Sequence, residues 1–82
     1  MDVVTAINTH VKQALADTFG MTLANMIILQ CSQKAGVAMM GLDSGGYQKL
    51  INAIASDDRV IQMLGQAGTQ AKRETWTALV SS

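Results

Sequence analysis

Residues 2–19 read DVVTAINTHVKQALADTF, a run without glycine or proline in which Val3, Ile7, Val11, Ala14 and Thr18 recur with Val4, Leu15 and Phe19 at i, i+3, i+4, i+7 spacing. That spacing predicts one helix with one apolar face. Gly20 follows at once, and a glycine there can take the left-handed conformation that ends a helix. Thr22 is then placed to cap a second helix with its hydroxyl, so two helices are expected to meet at a tight corner. From Leu23 to Ala35 the apolar set is Leu23, Ala24, Met26, Ile27, Ile28, Leu29, Cys31 and Ala35, a stripe wider than a surface helix needs. The second helix is therefore expected at the centre of the fold, ended by Gly36.

Val37-Ala38-Met39-Met40 reads as an apolar connector, either extended or a short helical turn, and residues 41–46 read as loop. Asp43 or Ser44 can cap a third helix whose inner face is Tyr47, Leu50, Ile51 and Ile54. Ser56, followed by Asp57 and Asp58 in a positively polarised first turn, reads as the start of a short fourth helix bearing Val60, Ile61, Met63 and Leu64 and closed by Gly65. After a corner at residues 65–68, Thr69 can cap a last helix with Ala71, Trp76, Leu79 and Val80. Sustained alternation of the kind strands need is lacking. The expected fold class is all-α: one compact domain over residues 1–82, of four or five helices in an orthogonal or bundle-like arrangement.

A chain of 82 residues builds one core, since separate domains rarely fall below about 50 residues. Cys31 is the sole cysteine and His10 the sole histidine, so neither an intrachain disulfide nor a four-ligand zinc site can staple that core. No metal or other cofactor is expected. Charged residues make up 15% of the chain, against roughly 25% in an average domain. A surface so short of charge is expected to be covered in part by a second copy or another protein. Six basic residues balance six acidic ones, which leaves no field to favour nucleic acid or an anionic membrane. The apolar runs 26–29 and 37–40 are too short to cross a bilayer. The start Met1-Asp2-Val3-Val4 lacks the basic and apolar segments of a signal peptide. With a free cysteine as well, a cytoplasmic location is expected.

Gly41-Leu42-Asp43-Ser44 resembles the Gly-x-Asp-Ser turn of acyl and peptidyl carrier proteins, whose serine carries a phosphopantetheine arm. Ser44 also opens a helix near mid-chain, as the modified serine does in that family. The resemblance implies attachment at Ser44. It covers four residues and a layout, and the chain departs from the carrier pattern in having Gly45 and Gly46 after the serine and a balanced overall charge where carrier proteins are acidic along that helix. Gly41 and Gly46 have the outer Gly-x-x-x-x-Gly spacing of a P-loop, but Tyr47 and Gln48 stand where that motif needs Lys and Ser or Thr.

Ala16, Gly20 and Met26 have helix-turn-helix spacing. The corresponding recognition helix, Leu23 to Gln30, offers Ile27 and Ile28 and no cation, so it is poorly suited to base edges or phosphates. Lys72 and Arg73 on the last helix are the better nucleic-acid candidates. His10 has no acid or nucleophile within helical reach. Cys31, on the most apolar helix, is expected buried with a raised thiol pKa. Asp57 and Asp58 diverge by about 100° on a helix and cannot share a substrate. No catalytic constellation assembles. The reading that remains is a non-enzymatic interaction or regulatory module, a homodimer or a docking partner, whose interface candidates are Ile27, Ile28, Met39, Met40, Tyr47 and Trp76. A carrier domain and a DNA-binding protein are the alternatives.

Overall fold

The computed structural model describes residues 1–80. Asp2 starts the first helix: its carboxylate accepts the Thr5 amide at 3.0 Å and the Thr5 hydroxyl at 2.7 Å. The helix then runs unbroken through residues 3–19, α-helical at Val3–Thr5 and Lys12–Phe19 with a wider π segment at Ala6–Val11 between them. The π segment has a physical reason. Side chains four residues apart wind off a 3.6-residue helix by about 40° per step. A wider turn winds the other way, and it brings Ile7, Val11 and Leu15 onto one buried line.

The second helix, Met21–Ala35, begins one residue after the first ends, and Thr22 does not cap it. Its first turn is closed by the Ala24 amide donating to the Gly20 carbonyl at 3.0 Å. Gly20 itself sits at φ 86, ψ 159, an extended conformation of positive φ instead of the left-handed helical one expected. Gly65 repeats this geometry at φ 74, ψ 166, where it breaks the fourth helix, Asp58–Val80, into two segments. At both corners a single residue turns the chain from one helix into the next. That backbone region is essentially reserved for glycine. Space is open around both positions, so the strain of an added Cβ acts alone. Gly20→Ala and Gly65→Ala are each expected to cost about 1–3 kcal/mol in urea denaturation, with no change in helical content.

Gly36, left-handed at φ 72 and ψ 30, ends the second helix as expected. Residues 37–43 form an irregular connector to the third helix, Ser44–Ala55. Asp43 is its cap, accepting the Gly46 amide at 2.7 Å, and Ser44 is the first helical residue. Ser56 ends this helix instead of opening the next. Asp57 takes over there, accepting the Arg59 amide at 2.9 Å. Thr69, expected to cap a last helix, lies inside the segment after Gly65, buried, with a hydroxyl that has no partner among the described residues. Gly65 is the residue four before it, where a helical threonine's usual carbonyl partner would be, and it lies outside helical geometry.

The first helix packs on the second, the second on the third and the third on the fourth, which returns to the π segment of the first. This closed cycle corrects the expectation of a central second helix with the others around it. The inner face of the third helix is fully enclosed: Tyr47, Leu50, Ile51 and Ile54 are all at 0% exposure. Tyr47 also donates its hydroxyl to the Trp76 carbonyl at 2.6 Å, tying the third helix to the fourth. Among the described residues there is no strand. The accessible area is 4684 Å², close to the roughly 4,700 Å² of a self-contained monomer of this mass. The core is closed by this chain alone, so a partner is not needed to complete it.

Candidate functional site

All six methionines of the sequence are exposed: Met1, Met21, Met26, Met39, Met40 and Met63. The core is made of Ile, Leu, Val, Ala, Cys, Tyr and Trp, so methionine does no core filling. The most exposed of the six is Met40, at 94%, and its neighbour in sequence, Met39, lines an apolar cleft.

The connector between the second and third helices builds this feature. Gly36 turns the chain out of the second helix, with the Val37 amide donating to the Ser32 carbonyl at 3.0 Å. Gly41, at φ 76, turns it back. Val37 and Leu42 at the two ends pack on the core, whereas Ala38, Met39 and Met40 between them are exposed. Leu42 divides the surface into two clefts. On one side an apolar cleft of ≈ 220 Å³ lies between the connector and the start of the first helix, lined by Val3, Val4, Ile7, Asn8, Met39 and Leu42. On the other, a cleft of ≈ 240 Å³ runs past Met40 toward Asp43, Gly46 and Lys49.

Local chemistry fixes these walls. The Asp2 cap sets the direction in which Val3 and Val4 leave the first turn, and its bonds to Thr5 hold its carboxyl below the ordinary range. The π segment supplies Ile7 and Asn8. Gly46 has a packing role: a Cβ there would sit 2.7 Å from Leu42 Cδ1 and 3.2 Å from Asp43 Oδ1. Gly46 thus leaves room for Leu42 and for the capping carboxylate, whereas a Cβ at Gly45 would make only ordinary contact, 3.6 Å from Asp43 Oδ1.

The remaining sequence candidates are distributed differently from expectation. Ile27 and Ile28 are in the core, at 0% and 6% exposure, because the second helix turns them toward its neighbours and shows Met26 and Leu29 to solvent instead. Tyr47 and Trp76 are likewise interior, at 0% and 3%, and serve as the lock between the third and fourth helices. These four residues are corrected from interface anchors to core. Met39 and Met40 lie on the surface. Lys72 is exposed, whereas Arg73 is half-buried, with Nε donating to Gln70 Oε1 at 3.2 Å and Nη1 to Asn52 Oδ1 at 3.4 Å. Ser44 is exposed at the start of its helix, next to the capping Asp43.

Two features escaped sequence reasoning. The cleft joins residues 3–8 to 39–42, and no local pattern announces that meeting. The second is a polar cluster between the second and fourth helices. Arg59 donates through Nε to Asp57 Oδ1 at 3.0 Å and through Nη2 to Asp57 Oδ2 at 2.8 Å, and its Nη2 also reaches Gln30 Oε1 at 2.9 Å. These bonds hold the Asp57 carboxyl below its ordinary range. The buried Cys31 thiol lies 3.8 Å from Asp57 Oδ2, and burial first, then this carboxylate, push it up to about 11. It is therefore a protonated, inert thiol at neutral pH. Among the described residues no group of acids, histidine and cysteine is arranged to hold a metal ion, and no helix is long and apolar enough to cross a membrane. The chain matches no known family, no curated protein and no solved structure.

Proposed function

We propose that this chain is a non-enzymatic interaction module that works by covering exposed apolar surface, with a second copy of itself as partner. The observation that carries the reading is the placement of every methionine outside a core that contains none. Methionine is flexible and polarisable, which suits adaptable contact surfaces. The low share of charge fits the same role, since charged residues are depleted at the centre of interfaces. Because the domain closes its own core, association adds to a folded unit and does not fold it.

Light scattering over about a hundredfold range of concentration, with intact-mass spectrometry on the same sample, tests this. The expected result is a concentration-dependent dimer of chains at the unmodified mass. A monomer throughout the range removes the homodimer, and a mass increase at Ser44 on incubation with a phosphopantetheinyl transferase and coenzyme A would replace the reading with a carrier role.

A further inference from the structure

The exposed Met40 and the apolar cleft that Met39 lines flank Leu42 on its two sides, a side chain in solvent and a recess supplied by adjacent residues of the same connector. We infer that two copies dock about a twofold axis by exchanging Met40 side chains, each entering the cleft that Val3, Val4, Ile7, Met39 and Leu42 form on the other copy. The inference rests on the homodimer reading and names its contact.

Three properties of the patch fit a second copy. First, a twofold interface must be complementary to itself, which requires projection and recess on the same surface of each chain. Second, the recess has the right size and lining. Apolar cavities of about 150 Å³ accept a benzene-sized group, so ≈ 220 Å³ leaves ample room for an unbranched thioether. Asn8 is the one polar side chain among its walls. Methionine, with three rotatable bonds, can adjust to such a recess where a branched side chain would have to match it. Third, the surface on Met40's own side of Leu42 is charge-complementary to itself. The neighbouring cleft on the far side of Leu42, where Met40 lies, carries one anion, Asp43, and one cation, Lys49, so a twofold pairing can set each against its opposite on the other copy.

The test compares Met40→Glu, Val4→Lys and Leu29→Glu with the wild type by light scattering, with far-UV circular dichroism to confirm that each is folded. Met40 and Val4 are exposed at 94% and 63%, so neither change disturbs the core. Met40→Glu is expected to weaken the dimer about a hundredfold, about tenfold for each of the two insertions lost. Leu29→Glu, on the outer face of the second helix, is expected to leave it within about twofold. Mixing Met40→Glu with Val4→Lys is expected to restore a dimer, since one recess then pairs glutamate with lysine and the other keeps its native methionine. A wild-type dimer that Met40→Glu leaves intact, or one that Leu29→Glu abolishes, overturns the exchange and keeps the homodimer. A wild type that stays monomeric overturns both.

Discussion

Trp76→Ala is expected to remove about 3–5 kcal/mol of stability, the usual cost of truncating a large buried aromatic. For a chain of 82 residues the total is on the order of 4–12 kcal/mol, so this one change leaves the domain at the edge of folding. The indole is at 3% exposure and belongs to the single core, and its residue also accepts the Tyr47 hydroxyl through its carbonyl. The two contacts are separable. Tyr47→Phe deletes only the hydrogen bond and should cost about 1–2 kcal/mol. Since that bond goes to the backbone, it survives in the Trp76→Ala background if the fourth helix keeps its place, and the two losses then add. Strong non-additivity would mean that the indole holds the helix in position. Urea denaturation followed by circular dichroism measures both, because the chain's only tryptophan is gone from one variant. A cost below about 1 kcal/mol for Trp76→Ala is incompatible with a closed core around this residue.

The second large effect is a loss of stability in alkali. Burial pushes Tyr47 from 10.0 up to about 12, and burial together with the Asp57 carboxylate pushes Cys31 from 9.0 up to about 11. Both groups are neutral when protonated, so the folded state holds their protons more tightly than the unfolded chain does. Below pH 9 both states are protonated and the contribution is fully present. As pH rises the unfolded chain releases its protons first, and stability falls, through about pH 9–11 for Cys31 and about pH 10–12 for Tyr47. Each group accounts for up to about 3 kcal/mol at the top of its window. Melting curves between pH 8 and pH 12 should show this fall, with Cys31→Ala removing its earlier part and Tyr47→Phe its later part. A flat profile in the double variant, against a steep one in wild type, assigns the effect to these two groups. A steep profile that persists places it elsewhere.

The helices were legible because their signals are local. The apolar spacing of residues 2–19, the inner face of Tyr47, Leu50, Ile51 and Ile54, the stop at Gly36 and a cap at Asp43 or Ser44 all depend on neighbours within a turn or two. Caps were read less well. Thr22, Ser56 and Thr69 have the right chemistry, but at Gly20 and Gly65 the chain turns within one residue, which leaves no separate cap position, and Asp57 supplies the acceptor next to Ser56.

What the sequence determined by itself is an all-α domain, where its helices run and the burial of Cys31, because periodicity and composition act along the chain. What only tertiary packing decided is which apolar residues face inward. Ile27, Ile28, Met26 and Leu29 share one broad stripe, and the sequence cannot say which side meets the neighbouring helices. The order in which the helices pack made Ile27 and Ile28 core and left Met26 and Leu29 in solvent. The same holds for Tyr47 and Trp76, whose hydrogen bond spans 29 positions of sequence, and for the cleft that joins residues 3–8 to 39–42. A surface is what remains after burial is shared out among helices, and that sharing depends on contacts between residues far apart in the chain.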